Sequence, residues 1–161
     1  MLKTVGYNLR GTVSVLGYFF NTVFWFIPIF ILSLLKLPPI ALWRRVVSYP
    51  LDACATAWIG VNNLNQRLLG STKWTVNGIS TLKPDDWYLV VANHQSWVDI
   101  LVLQRIFNRK IPFLKFFLKQ ELIWVPVLGL AWWALDFPFM RRYSKSFLTK
   151  NPHLKGKDME T

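Results

Sequence analysis

Asn93-His94-Gln95-Ser96-Trp97-Val98-Asp99 lies between an apolar, strand-like run at residues 87–92 and a helix-like run at Trp97–Phe107. Side chains at a strand-to-helix junction can converge at the edge of a sheet and face a ligand. A carboxylate that accepts the proton of one imidazole nitrogen fixes the tautomer, so that the other nitrogen can act as a base. His94 and Asp99 are therefore candidates for abstracting a proton from a hydroxyl group during a group transfer onto oxygen.

The same residues also fit a purely structural role. Ser96 lies three positions before Asp99, which is the spacing of a capping box at the start of a helix. In that interpretation Asp99 meets the first-turn amides and the helix dipole, and His94 is an ordinary loop histidine. The spacing of the two residues alone leaves both interpretations open.

Two stretches of the chain resemble the glycerolipid acyltransferases, the family typified by 1-acylglycerol-3-phosphate acyltransferase. Residues 93–99 resemble its first signature, Asn-His-x-Ser-x-x-Asp, and residues 118–122, Leu-Lys-Gln-Glu-Leu, are similar to its Lys-x-Glu-Leu segment. That segment leads through Pro126 and Gly129 into residues 139–142, Phe-Met-Arg-Arg, which look like the end of the second signature. The resemblance covers about positions 70 to 161.

The chain departs from the family pattern in two ways. Asp136 and Pro138 stand where many relatives carry glycine and a β-branched residue. The third signature, Glu-Gly-Thr-Arg, and the Pro-containing fourth signature do not occur in the sequence. The resemblance therefore implies a truncated acyltransferase domain.

The resemblance also implies a reaction, the transfer of a fatty acyl group from an acyl thioester to the hydroxyl of a lysophospholipid. His94 would be the general base and Asp99 its orienting acid, while Arg142, with Arg141 beside it, would bind the acceptor phosphate. No cofactor is implied, because the thioester of coenzyme A or acyl carrier protein is a co-substrate. The alternative is a catalytically inactive, truncated membrane-anchored fragment. Ser96 is rejected as a nucleophile because Gly-x-Ser-x-Gly does not occur in the sequence.

The composition favours a lipid partner. Lys and Arg number 19 against 8 Asp and Glu, which gives a net charge of +11 and suits either nucleic acid or anionic lipid. The hydrophobic fraction of 53% and the 9 Trp favour the membrane–water interface, so no nucleic-acid partner is predicted. A single cysteine, Cys54, excludes an internal disulfide. Together with His94 and His153 it provides too few ligands for a Cys/His zinc site, so no metal is predicted.

Residues 11–35 form a run without charged side chains, flanked by Arg10 and Lys36. As a helix the run reaches about 37 Å, against a hydrocarbon core of about 30 Å. It predicts an uncleaved, integral membrane anchor, and the slight excess of basic residues after it favours a cytosolic location for the acyltransferase part. A hairpin that dips into one leaflet is the competing topology.

The remaining pattern predicts an α/β fold in which N-terminal membrane-anchoring helices, residues 1–70, precede a partial acyltransferase domain, residues 71–161. Residues 40–69 show helical spacing interrupted at Pro50, either in the membrane interface or packed on the domain. Predicted strands lie at residues 73–78, 87–92 (a buried central strand) and 113–119. The uncharged run 122–135 predicts a core or interfacial helix, whose Gly129 and Ala131 either pack in the core or leave room for an acyl chain.

Overall fold

The structure, a computed structural model, describes residues 2–70, 72–93, 95–126, 128–141, 143 and 145–152. Within these residues the chain is mostly helical, with one small parallel sheet. The α-helices are α1 (Leu2–Leu35), α2 (Ala41–Leu69), α3 (Trp97–Phe107), α4 (Leu128–Ala134) and α5 (Lys145–Lys150). The strands are β1 (Leu118–Lys119) and β2 (Phe139–Met140), and 3₁₀ turns occupy Ile79–Thr81 and Gln120–Trp124.

The described chain divides into two compact units. The first unit contains residues 1–29 and 52–114, and the second unit contains residues 30–51 and 115–161. Helices α1 and α2 therefore each contribute one part to each unit. The predicted boundary at residue 70 stays a prediction.

In the first unit, α1 and α2 pack as an antiparallel pair held by polar side chains. Asn21 Nδ2 donates to the Trp58 carbonyl at 2.9 Å and to Asn62 Oδ1 at 2.8 Å, and Asn65 Nδ2 donates to the Ser14 carbonyl at 2.8 Å. Asn21 and Asn62 are buried, so these hydrogen bonds satisfy Asn21 Nδ2 and Asn62 Oδ1, which would otherwise be costly to remove from water. The asparagines fix which turns of the two helices face each other.

Helix α1 has the length and composition to cross a membrane. Its candidate span, Gly6–Leu35, has 30 residues and is longer than the predicted 11–35. Only 11% of its most apolar 18-residue window is buried, and exposed side chains such as Phe20 and Phe24 cover its surface. The core helix of a soluble protein would bury much more of this surface.

Helix α2 confirms the predicted helical spacing, but the predicted interruption at Pro50 is wrong. The helix runs from Ala41 to Leu69 with Pro50 inside it. Proline removes one backbone hydrogen bond and crowds the preceding turn. Val47 and Leu51, on either side of it, are 4% and 0% exposed, and their packing offsets that local loss.

The prediction of a buried central strand at residues 87–92 is wrong. The segment has no regular secondary structure, and Trp87, Leu89 and Val91 are 98%, 80% and 86% exposed. An apolar run becomes a buried strand only where a neighbouring strand pairs with its backbone, and no described strand does so. Residues 73–78 likewise form no strand, and Gly78 at their end adopts a left-handed φ of 75°, which glycine tolerates without strain.

In the second unit, β1 and β2 form a parallel pair in the register Leu118↔Phe139 and Lys119↔Met140. Of the predicted strand 113–119, only these last two residues join a ladder. A 3₁₀ turn and α4 connect the strands, so this part has a strand–helix–strand order.

The helix predicted at residues 122–135 is confirmed only in its second half, as α4, because residues up to Trp124 form a 3₁₀ turn and the helical conformation is interrupted at Val125. Val125, which precedes Pro126, is extended with φ −66° and ψ 118°. A proline disfavours the helical conformation of the residue before it, which explains the break.

Candidate functional site

The N-terminus of α3 carries the predicted acidic residue within a complete capping box. Ser96 is the N-cap, and its Oγ accepts a hydrogen bond from the Val98 amide at 3.1 Å. Asp99 Oδ2 accepts from the amides of Gln95 at 2.5 Å and Ser96 at 2.7 Å. The structural role suggested by the spacing is therefore confirmed for Ser96 and Asp99, and α3 has the predicted bounds.

The Asp99 carboxylate is suited to stabilise a neighbouring positive charge in addition to capping α3. It is partly buried, and the helix dipole favours a negative charge at this position. An ionised carboxylate has about four acceptor positions, so it can accept from backbone amides and from a side-chain donor at the same time. His94, the predicted base, lies outside the described residues, as does His153.

Arg141 is exposed and follows β2 directly. Its Nε donates a hydrogen bond of 2.6 Å to Oε1 of Gln120, the first residue after β1. The two side chains thus meet at the carboxyl ends of two parallel strands, where α/β folds bind ligands. Arg142 lies outside the described residues. Asp99 belongs to the first unit and Arg141 to the second.

A charged cluster that the sequence did not reveal lies in the second unit. Lys36 is 3% exposed, and its Nζ donates to the Ala134 carbonyl and to Asp136 Oδ1, both at 2.6 Å. Asp136 Oδ2 also accepts from Ser48 at 3.2 Å and lies 3.6 Å from Lys115 Nζ. A buried ammonium needs such partners, so the cluster ties the turn before β2 to α2 and to the residue that follows α1.

The departure from the family pattern at Asp136 was the available signal for this cluster. Asp136 has a φ of 56°, a left-handed conformation that glycine adopts easily and that aspartate tolerates better than most residues. The carboxylate of this chain therefore occupies a backbone position where glycine is also suitable. What the sequence did not show is that Lys36, 100 positions away, is its partner.

Gly129 is a packing residue. A Cβ atom built there would lie 1.9 Å from the Ile123 carbonyl oxygen, which is far inside any real contact. The space beside this buried glycine is therefore filled by the chain's own backbone. Core packing, one of the two predicted roles, is confirmed for Gly129, whereas an acyl-chain groove along this helix stays a prediction.

Two further kinds of site, a metal site and a reactive thiol, find no support in the described part of the chain. Within the described part of the chain, His, Cys, Asp and Glu form no group able to hold a metal ion. Burial raises the pKa of the Cys54 thiol above its ordinary value, which lowers its thiolate fraction at neutral pH.

Comparison with known proteins identifies the class. The profile of the family described as "Acyltransferase" matches residues 73–158, which is more than half of the chain. The chain belongs to this acyltransferase family, and the resemblance seen in its two signatures is confirmed.

The relatives found are more particular. The chain is 29% identical over 126 residues to "1-acyl-sn-glycerol-3-phosphate acyltransferase alpha" of Mus musculus and to the protein of the same name from Homo sapiens. Each alignment covers 78% of this chain and 41% of the relative, so the chain spans less than half the length of the relatives it matches. No solved structure gives a significant match.

Proposed function

We propose that the protein transfers a fatty acyl group from an acyl thioester to the hydroxyl of a lysophospholipid such as 1-acylglycerol-3-phosphate. Membership of the acyltransferase family and the names of its relatives support this reaction and this acceptor. The observation that carries the proposal is the position of Asp99, which caps the start of α3 and lies five residues after His94 in the first signature.

In the proposed mechanism, His94 removes the proton of the acceptor hydroxyl as the oxygen attacks the thioester carbonyl. Asp99 orients the imidazole and stabilises the imidazolium that forms. The tetrahedral intermediate then collapses, an ester bond replaces the thioester bond, and the departing thiolate takes the proton from the imidazolium. The co-substrate, a thioester of coenzyme A or acyl carrier protein, is already activated, so neither a covalent enzyme intermediate nor a cofactor is required.

The acceptor phosphate requires a cation, and guanidinium groups bind phosphate through two parallel hydrogen bonds. Arg142 is assigned this role with Arg141. The exposure of Arg141 and its position after β2 support the assignment.

We assign the protein to a membrane, with α1 as an integral anchor and the acyltransferase part on the cytosolic side. The apolar surface of α1 supports its role as an anchor, and the net charge of +11 suits an anionic lipid surface. Lysophospholipid acceptors dissolve in that surface, so anchoring raises their local concentration at the site.

The test is an assay with labelled acyl thioester and lysophosphatidate on membranes that contain the protein. Turnover above empty membranes is expected, and His94→Ala should reduce it by about 10²- to 10⁴-fold while the variant remains in the membrane. Turnover that survives His94→Ala would contradict the mechanism.

Wild-type membranes that carry the protein and show no turnover would instead favour the second candidate, a catalytically inactive membrane-anchored module. This candidate is retained because the chain aligns with 41% of the relatives' length.

A further inference from the structure

One face of the β1–β2 pair carries a row of cross-strand contacts that continues beyond the strands. Side chains two residues apart on a strand lie on the same face, so the register sets a ladder with that step. The three pairs of the row are Phe116 with Phe137, Leu118 with Phe139, and Gln120 with Arg141.

The row changes character at its carboxyl end. The first pair is a stacked aromatic contact with ring centroids 6.5 Å apart, and the second pair is also apolar. The third pair is polar and partly exposed, and it lies at the edge of a parallel sheet where ligands bind. An apolar pair at this position would continue the packing, whereas a guanidinium held by an amide indicates a role other than packing.

The contact sets the orientation of the guanidinium. A planar guanidinium has five N–H donors in a fixed fork, and the 2.6 Å hydrogen bond uses the one on Nε of Arg141. No described residue accepts a hydrogen bond from its Nη1 or Nη2. With Nε engaged, the edge formed by these two nitrogens can still make two parallel hydrogen bonds to phosphate oxygens.

We propose that Gln120 is a positioning residue that aims Arg141 at the phosphate monoester of the acceptor, which rests on the proposed function. A neutral amide is suited to this task, because it accepts from Nε without cancelling the charge of the guanidinium. A carboxylate at position 120 would hold the arginine and compete with the phosphate. The pair thereby separates acceptors that carry a phosphate from otherwise similar acceptors that do not.

The test measures binding by the full-length chain in mixed micelles, with intrinsic tryptophan fluorescence as the signal. Lysophosphatidate is the probe, and 1-monoacylglycerol with the same acyl chain is the phosphate-free control ligand. Gln120→Met should raise the Kd of lysophosphatidate about 3- to 10-fold, and Gln120→Glu should raise it by about tenfold or more. The Kd of monoacylglycerol should not change.

Two further variants distinguish positioning from loss of charge or of folding. Lys150→Gln removes one exposed positive charge from α5 and should leave both Kd values unchanged. In an Arg141→Gln background, Gln120→Met should produce no additional loss, because the group that it aims is gone. Thermal unfolding of each variant shows whether the chain still folds.

Three results would overturn the proposal: an unchanged lysophosphatidate Kd in Gln120→Met, an equal loss for both ligands, or additive effects of Gln120→Met and Arg141→Gln. The binding assay does not need turnover. A chain that distinguishes the two ligands through Gln120 but transfers no acyl group would therefore contradict the proposed reaction alone. A chain that transfers acyl groups with an unchanged KM in Gln120→Met would contradict this proposal alone.

Discussion

Asp99 combines a structural role with a proposed chemical one. Its Oδ2 accepts two backbone hydrogen bonds at the start of α3, and the same carboxylate is assigned to orient His94. Helix N-termini are suited to this combination, because the dipole favours a negative charge there and the exposed amides hold a carboxylate in place. The capping role of Asp99 and its proposed catalytic role are therefore compatible.

The two roles of Asp99 can be separated by substitution. Asp99→Asn keeps a side-chain oxygen for the amides of Gln95 and Ser96 but removes the charge that stabilises an imidazolium. We expect acyl transfer to fall by about 10²- to 10⁴-fold, with little change in the free energy of unfolding.

Ser96→Ala is the matched control, since it removes the other half of the cap and leaves the carboxylate. It should lower the free energy of unfolding by about 1 kcal/mol and leave turnover within a few-fold of the wild type. Turnover and thermal unfolding, measured on both proteins, check the prediction. Equal losses of activity in the two variants would mean that Asp99 acts only as a cap.

At the level of elements, α4 depends on a backbone contact that only glycine allows. Gly129→Ala would place a Cβ atom against the Ile123 carbonyl, so either α4 or the 3₁₀ turn before it must move. We expect the free energy of unfolding to fall by about 1–3 kcal/mol, measured by thermal unfolding in detergent.

Gly11→Ala in α1 is the control for that substitution. Nothing lies within 4 Å of a Cβ atom there, and alanine favours helix over glycine. It should leave stability unchanged or raise it by up to about 1 kcal/mol. A Gly129→Ala protein as stable as the wild type would contradict the packing role of Gly129.

The sequence predicted elements well where the signal is local and poorly where it depends on a partner. The start of α3 was predicted because its two capping residues, Ser96 and Asp99, lie only three positions apart in the sequence. The segment 87–92 was predicted as a buried strand from its apolar content, but burial depends on a pairing strand that no local pattern specifies. The ion pair of Lys36 and Asp136 was missed for the same reason. The site follows this rule too, since Asp99 was predicted from a motif and Gln120 was found only from the register of β1 and β2.

For the molecule as a whole, two features favour the membrane through different forces. The apolar surface of α1 favours the hydrocarbon core, and this preference does not depend on ionic strength. The net charge of +11 favours anionic headgroups through a force that salt screens, with a Debye length of about 3 Å at about 1 M salt. Extraction experiments can therefore separate an anchor from a surface contact.

If α1 is an integral anchor, the protein should stay in the membrane pellet after washes with concentrated salt and with alkaline carbonate. Phe20→Lys combined with Phe24→Lys places two charges on the exposed, apolar part of α1, at about 2.5–3.5 kcal/mol each in the centre of a bilayer. This variant should shift measurably into the carbonate supernatant. Leu89→Lys, a change at an exposed apolar side chain outside α1, should stay in the pellet with the wild type. Release of the wild-type protein by salt alone would assign its membrane binding to charge, and α1 would then have to be covered by something other than lipid.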